Sequence, residues 1–354
     1  MSRILAIDIG HGTKDVLLYD STRNLENCVK VVVGAPAQRY ADRVLSRPGD
    51  LDVVGDTVGG GPLAYALREL VKKGHRVRTT SRTCFLVRNR VEDVRKAGIE
   101  VADDLPEDSG SGTRIHLDEM EIPALRDFLH AHDEDLDNLD AVAFAVQDHG
   151  AYEEGELNRV SRFRTFAERL SENPHPSALA FTRDDLPDGF HRMQSGLDRL
   201  ARDLPGVPAL AADTPMSALM GCRAELPSDG VDLLVNVGNC HLMAGVFRGD
   251  RILSAMEHHT RMFRKRAFEL GDTLRRFADG DFSDEQVRED GGEGAVHFDP
   301  PGFHAVERIL VTGPNRGLLL ETDLDTLFPA PGGDMMMTGP LGLVRFAERL
   351  LGTS

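Results

Sequence analysis

The sequence predicts an α/β protein of two lobes, each with a mixed β-sheet flanked by helices, and a ligand cleft between the lobes. A buried strand, a polar turn and a partner strand occupy residues 4–20, and a third strand follows at 28–33. The same plan returns at residues 231–256, roughly 230 residues later. Because two similar hairpins can face one ligand only if they oppose each other, the repeat predicts a cleft.

The composition is that of a globular protein with an acidic surface. A chain of 354 residues exceeds what one hydrophobic core usually supports, which indicates two domains. The net charge of −17, from 41 basic and 58 acidic residues, argues against nucleic acid or an anionic membrane surface as the main partner. No apolar run is long enough to cross a bilayer, so we expect no membrane span and a cytoplasmic protein.

The turn after the first strand has the residues of a phosphate site. Gly10 and Gly12 let the backbone turn tightly enough for amide groups to face an anion, and Thr13 adds a hydroxyl. Asp8, at the end of the strand, offers a carboxylate for hydrated Mg²⁺. An ordinary glycine turn is the alternative, since neither GxxxxGK[ST] nor GxGxxG occurs in the sequence.

The middle of the chain is predicted to be an insertion at about residues 34–139. It contains a glycine loop at 55–62 and a helix at 63–73, an arrangement that either receives an anion or simply connects two elements. Residues 75–80 and 83–87 are predicted to be strands. The insertion divides a first lobe that ends near residue 229.

Further polar residues follow predicted strands beyond the insertion. Gln147 comes directly after a buried strand at 140–146, and Asp213 precedes a helix at 216–225 as a candidate cap. The second lobe, residues 230–354, opens with a hairpin whose turn contains Gly238. Its last predicted helix spans about residues 335–351.

The cysteine and histidine patterns do not predict a transition-metal site. The four cysteines are scattered and form no CxxC pair. Glu257, His258 and His259 stand together after a strand, but neighbouring residues on a strand point to opposite faces, which disfavours chelation by adjacent side chains.

In order and spacing, these motifs resemble those of the actin-like ATPase superfamily, which includes sugar kinases, acetate kinases, heat-shock chaperones and activator ATPases. The matching segments are two phosphate motifs at 8–13 and 234–239, a connecting motif at 143–147, a strand–helix unit at 212–221, an adenosine motif at 310–314 and a closing helix at 334–344. The resemblance implies two actin-like (ribonuclease H-like) lobes with mixed five-stranded sheets and a nucleotide cleft between them.

The nearest resemblance is to an uncharacterised prokaryotic family labelled as related to the pyruvate formate-lyase activating enzyme. That label implies radical chemistry, which requires a CxxxCxxC cluster motif. This sequence lacks the motif, so we do not expect the radical activity.

The superfamily resemblance implies that ATP and Mg²⁺ bind in the cleft, with Asp8 holding the metal. The residues expected at the nucleotide are Gly10, His11, Gly12, Thr13, Lys14, Gly238, Asn239, Thr312, Gly313 and Pro314. By similarity to sugar kinases, Asp213 is expected to deprotonate an acceptor hydroxyl, unless it only caps its helix. Gln147 is the candidate for orienting an attacking water instead.

These roles favour an ATP-dependent kinase for an unidentified small-molecule acceptor, with the insertion shaping the acceptor pocket. One alternative is a slow nucleotide-regulated ATPase that activates or reactivates a partner protein, and another is a non-catalytic nucleotide-binding pseudoenzyme. Asn236 stands where many ATPases of the superfamily have Asp, and this departure weakens the ATPase interpretation more than the kinase one. A homodimer is left open.

Overall fold

The computed structural model describes residues 1–106, 112–152, 154 and 158–353. The strands of this part are β1 (Arg3–Ile9), β2 (Thr13–Asp20), β3 (Val29–Gly34), β4 (Leu51–Gly55), β5 (Val77–Thr80), β6 (Glu100–Ala102), β7 (Thr113–Leu117), β8 (Ala141–Val146), β9 (Ala180–Phe181), β10 (Ala209–Asp213), β11 (Val231–Val237), β12 (His241–Arg248), β13 (Arg251–His259), β14 (Gly294–His297) and β15 (Arg308–Thr312).

The α-helices are α1 (Pro36–Ser46), α2 (Gly61–Lys72), α3 (Val91–Lys96), α4 (Ile122–His130), α5 (Asn158–Glu172), α6 (His191–Asp203), α7 (Thr214–Glu225), α8 (Thr260–Phe263), α9 (Leu270–Asp279), α10 (Asp284–Glu289) and α11 (Thr338–Leu351). Within the described residues, no helix combines the length and apolar character needed to cross a membrane.

The first sheet is mixed and has the strand order β3-β2-β1-β8-β10-β9. Strands β1, β2 and β3 form the predicted antiparallel meander, while β8 and β10 extend the sheet in parallel. A short sixth strand, β9, is added to the expected five and pairs antiparallel with β10. The parallel strands β1, β8 and β10 end at the same edge, where β8 and β10 are followed by Gln147 and Thr214.

The second sheet repeats this plan in the order β14-β13-β12-β11-β15. Strands β11, β12 and β13 form the second antiparallel meander, and β15 pairs in parallel with β11. The predicted α/β class with two mixed sheets flanked by helices is therefore confirmed.

Two helices pack together between these sheets. Helix α7 contacts strands of both sheets, and α11 lies against α7, β1 and β8. Their backbones approach closely at two glycines, because a Cβ on Gly221 would lie 1.7 Å from the carbonyl oxygen of Thr338 and one on Gly342 would lie 1.9 Å from that of Ser217. The C-terminal helix thus packs on the first sheet, and the lobe boundary after residue 229 stays a prediction.

The insertion has a sheet of its own, with four parallel strands in the order β6-β5-β4-β7. Residues 83–87, predicted to be a strand, instead contain a 3₁₀ helix, Thr83–Leu86. The hydroxyl of Thr80 accepts from the amide of Thr83, and the hydroxyl of Thr83 donates to the carbonyl of Gly55. The local bond between Thr80 and Thr83 favours a turn over strand pairing, and the bond to Gly55 fixes this turn against β4.

A buried histidine makes the stability of the first lobe depend on pH. Nδ1 of His175 accepts from the amide of Ser177 at 3.0 Å, and its Nε2 is buried without a hydrogen-bond partner among the described residues. Burial lowers the pKa of His175 from 6.5 to about 4. Protonation therefore favours the unfolded chain, so this contribution is complete above pH 6.5 and is lost as the pH falls towards 4.

Replacing His175 with Asn is expected to remove part of this acid sensitivity. Asn keeps an oxygen that can accept from Ser177 but does not titrate. Between about pH 7.5 and about pH 5, the free energy of unfolding of the wild type should fall by up to about 2 kcal/mol more than that of the variant. Urea denaturation at both pH values measures the difference, and equal losses in the two proteins would contradict the assignment.

Candidate functional site

A pocket of about 520 Å³ lies where the two hairpin turns and the insertion meet. We call it the interlobe pocket. The predicted residues that line it are Asp8, Gly10, His11, Gly12, Thr13, Gln147, Gly238, Asn239, Gly313 and Pro314. Three predicted residues, Lys14, Thr312 and Asp213, do not line it.

The two hairpin turns contact each other across the pocket. In the first turn the amide of Gly10 donates to the carbonyl of Thr13, and in the second the amide of Gly238 donates to the carbonyl of His241, both at 2.9 Å. A Cβ on Gly12 would lie 2.5 Å from Nδ2 of Asn239. Glycine at position 12 therefore allows the turns to approach closely enough to hold one ligand from two sides.

A third turn, after β15, completes this end of the pocket. Gly313 has a φ of +94°, and a Cβ there would lie 2.4 Å from the carbonyl oxygen of Val237. Only glycine fits at position 313, so no side chain at this position narrows the pocket beside Pro314. Thr312 is fully buried instead, and its hydroxyl is 2.9 Å from that of Thr338.

Two buried carboxylates lie beside the first turn. Asp8 and Asp15 are direct cross-strand partners on β1 and β2, and both line the pocket. Oδ1 of Asp8 accepts from the hydroxyl of Thr214 at 2.5 Å. Oδ1 of Asp15 is buried without a hydrogen-bond partner among the described residues.

The surroundings of this carboxylate pair disfavour two negative charges, which a bound cation would offset. Burial, with a further contribution from Asp213, raises the pKa of Asp8 to about 7, although Thr214 opposes the shift. Burial and the charge of Asp8 raise the pKa of Asp15 to about 8. Carboxylate and hydroxyl oxygens are the ligands that Mg²⁺ prefers, so the residues present fit that ion.

Sequence reasoning missed Asp15, although a signal was available. Ile9 and Lys14 are the innermost partners of the hairpin, so the next pair outward is Asp8 with Asp15. Counting out from the turn would have identified the second carboxylate.

Lys14 faces away from the pocket, because neighbouring residues on β2 point to opposite faces. Its Nζ donates to Oε2 of Glu121 at 2.5 Å and to the carbonyl of Met120 at 3.2 Å. The ammonium group is thus held by the insertion, and its role at a nucleotide stays a prediction.

Asp213 is fully buried at the N-terminus of α7. Its Oδ1 accepts from the amide of Met216 at 3.3 Å, as a helix cap does, and its Oδ2 accepts from Nη2 of Arg162 at 2.5 Å. Gln147, by contrast, lines the pocket and donates through Nε2 to Oε1 of Glu257 at 3.4 Å. These contacts favour the cap over the base for Asp213, whose catalytic role stays a prediction.

Arg162 forms the centre of a buried ionic group that the sequence did not indicate. Its guanidinium donates to Asp213 and Glu257 and lies 3.5 Å from Oε2 of Glu293, and all four side chains are at most 2% exposed. Burial opposes ionisation, yet Arg162 and His241 lower the pKa of Glu257 to about 2. We call these four residues the Arg162 cluster.

The insertion contributes a basic wall to the pocket. The guanidinium groups of Arg68 and Arg88 both donate to the carbonyl of Val87, at 3.2 and 3.0 Å. Among the residues that the structure describes, no carboxylate lies within 4.0 Å of either group. Burial and the charge of Arg88 lower the pKa of Arg68. Two guanidinium groups with no carboxylate partner in the described part of the chain suit an anion at this wall.

Comparison with known proteins finds one matching family model and solved structures of low sequence identity. A family model described as "Putative pyruvate format-lyase activating enzyme (DUF1786)" matches residues 58–318. No curated protein matches the sequence.

Among solved structures, an inorganic polyphosphate/ATP-glucomannokinase from Arthrobacter sp. strain KM is 11% identical, with a TM-score of 0.41 over 99% of this chain and 100% of that one. The PilM-PilN type IV pilus biogenesis complex is 11% identical, with a TM-score of 0.40 over 98% and 99% of the two chains. YeaZ from Pseudomonas aeruginosa is 12% identical, with a TM-score of 0.35 over 99% and 93%.

Proposed function

This chain belongs to the family described as "Putative pyruvate format-lyase activating enzyme (DUF1786)", and we propose from its pocket that it is an ATP- and Mg²⁺-dependent phosphotransferase acting on a small molecule. The radical chemistry in the family's description is not part of the proposal. The cysteines stand at positions 28, 84, 222 and 240, without the spacing of a cluster motif.

One observation carries the proposal. Two glycine turns from different sheets and a pair of buried carboxylates, Asp8 and Asp15, line a single pocket. Backbone amides in tight turns attract phosphate oxygens, while the two carboxylates suit a cation. A nucleotide phosphate chain with its metal ion supplies both charges, so it suits this pocket better than either group alone.

The roles follow from which residues face the pocket. Asp8, Asp15 and Thr214 would hold Mg²⁺, which when bound neutralises the charge on phosphate oxygens. The turns around Gly12 and Asn239 would enclose the phosphates, and the wall at Gly313 would accept the nucleoside. Phosphoryl transfer depends mainly on how the protein positions the reacting groups. A buried Asp213 that caps α7 can therefore contribute without touching the substrate.

The basic wall of the insertion favours an anionic acceptor. Arg68 and Arg88 line the same pocket as the first hairpin turn, and His11 of that turn lies next to Gly61 at the start of α2. An acceptor bound there would adjoin the phosphate end of the nucleotide. Guanidinium groups bind carboxylates and phosphates strongly, which points to a short acid or a phosphate ester.

The function is tested by ADP release from Mg-ATP in a coupled assay with sugars, polyols, short carboxylic acids and phosphate esters. A kinase releases ADP only when its acceptor is present, and we expect the rise with an anionic compound. If ADP release is the same with every compound and without any, the kinase proposal is wrong. A slow acceptor-independent rate would favour the regulatory ATPase.

Replacing Arg68 or Arg88 with Met is expected to weaken acceptor binding without affecting ATP. Because a hydrogen bond to a charged group is worth about 1.5–3 kcal/mol, the KM for an anionic acceptor should rise about tenfold or more. Arg90→Met serves as the control, since Arg90 is 3.6 Å from Glu154 and does not line the pocket. An unchanged KM in both variants would remove the acceptor role from this wall.

A further inference from the structure

We propose that His241, His259 and Glu293 form a second metal site, for a divalent transition-metal ion such as Zn²⁺ or Mn²⁺. The site is separate from the carboxylates of Asp8 and Asp15, and it does not rest on the proposed phosphotransfer.

The two histidines are brought together by strand register. His241 is the first residue of β12, His259 is the last of β13, and the two are direct cross-strand partners. Such partners project from the same face of a sheet, and the two ring centroids are 4.9 Å apart. The neighbouring His258 points to the other face, where its Nε2 is 3.0 Å from Oδ2 of Asp290. A cross-strand pair therefore supplies the chelate that adjacent histidines cannot.

Glu293, the residue just before β14, supplies the third donor atom. Its amide donates to the carbonyl of Glu257 at 2.9 Å, which fixes the backbone beside β13. Its Oε1 lies 3.5 Å from Nδ1 of His241 and 3.8 Å from Nε2 of His259. All three donor atoms lie within 4.8 Å of one another. Donor atoms about 2.0–2.1 Å from a tetrahedral ion are roughly 3.3 Å apart, so the three side chains would draw closer together around an ion.

The charge around the site favours a cation. Oε1 of Glu257 lies 3.1 Å from Nδ1 of His241. Glu257 and the buried Asp213 both form ion pairs with Arg162. One guanidinium offsets only one of these two carboxylate charges. An ion on His241 would place the further positive charge next to Glu257, where a buried negative charge needs a partner.

The ligand types indicate the class of ion, and the interlobe pocket gives such an ion a route to the site. Imidazole nitrogens with one carboxylate suit Zn²⁺, Mn²⁺ and Fe²⁺ better than Mg²⁺, which prefers oxygen donors. His241 also lines the interlobe pocket, whereas Glu293 is only 2% exposed. The ion would thus be closed on the protein side and open towards the pocket, as in sites that keep a position for water or substrate.

The test is metal binding by the full-length protein, first treated with chelator and then dialysed against Zn²⁺ or Mn²⁺ with an excess of Mg²⁺, which competes for the oxygen donors of Asp8 and Asp15. We expect one ion per chain by mass spectrometry of the metal, and with Co²⁺ the absorption bands of a low-symmetry nitrogen–oxygen site. His259→Ala and Glu293→Gln should each weaken metal binding about 100-fold or more. Even the loss of a residue that only hydrogen-bonds to a metal ligand lowers metal affinity about 10–100-fold. His259 is partly exposed, so its variant is expected to fold even if the Glu293 variant does not.

Two controls make the result specific. His304→Ala changes an exposed histidine outside the site and should bind metal like the wild type. Asp8→Asn should also keep the transition metal while losing Mg²⁺ effects. Failure of the wild type to bind Zn²⁺ or Mn²⁺ at micromolar concentration, or equal binding by the His259 variant, overturns this inference. Mg-ATP stabilisation measured on the same samples shows separately whether the proposed function holds.

Discussion

Replacing Asp8 with Asn is expected to abolish the Mg²⁺-dependent part of ATP binding. The variant keeps the shape of the side chain and an acceptor for Thr214 but removes one of two carboxylates beside the phosphate turn. A ligand at about 100 times its Kd stabilises a protein by about 2.7 kcal/mol, so the wild type should show a clear rise in Tm with Mg-ATP. The variant should respond to Mg-ATP no more than to ATP with chelator.

The comparison needs two further variants. Asp15→Asn should give the same loss, since Asp15 faces Asp8 and has a buried oxygen without a partner among the described residues. Asp42→Asn, at an exposed position of α1, should behave like the wild type. The unliganded Asp8 variant should not be less stable, because the pKa of Asp8 is already raised to about 7 and Asn resembles the protonated acid. Full Mg-ATP stabilisation of the Asp8 variant would refute the metal assignment.

Arg162→Met should give the largest loss of stability. The guanidinium is fully buried and donates to Asp213 and Glu257, which lie on different sheets. Met fills much of the same volume but leaves buried carboxylates without their cation. Removing one partner of a buried ion pair typically costs about 3–5 kcal/mol, and urea denaturation should show a fall of this size in the free energy of unfolding.

Glu168→Met is the control, because Glu168 is exposed on the same helix, α5. Its effect should stay within about 0.5 kcal/mol, as for most surface changes. The double variant Arg162→Met, Glu257→Gln should recover part of the loss, since one of the carboxylate charges left without Arg162 is also removed. If the Arg162 and Glu168 variants unfold at the same urea concentration, the Arg162 cluster does not stabilise the fold.

Local patterns were enough to predict the two meanders and their turns. The apolar runs of β1 and β11 are visible within a few residues, and the glycines at 10, 12 and 238 mark turns without reference to distant parts of the chain. Repetition of the hairpin at a second place then implied two lobes. Each of these signals comes from residues that are close together in the chain, so it can be recognised from the sequence alone.

Which side chains face the pocket was decided by packing. Lys14 and Asp15 are adjacent, and the pleat places them on opposite faces whatever the fold. The register of the hairpin pairs Asp15 with Asp8, and the insertion takes up Lys14 on the other face through Glu121. Thr312 lies just before the turn it was expected to join, but α11 covers it through Thr338.

Hydrophobic periodicity and glycine conformation act over a few residues, so they were enough to predict both meanders and their turns, although they misassigned residues 83–87 as a strand. The grouping of the charged side chains came from the folded chain. Arg162 reaches Asp213 and Glu257, which are 51 and 95 positions away, and Glu293 joins two histidines paired by register across β12 and β13. Coulomb interactions and metal ligation depend on distance in space, and no local pattern records which distant residues the folded chain will bring together.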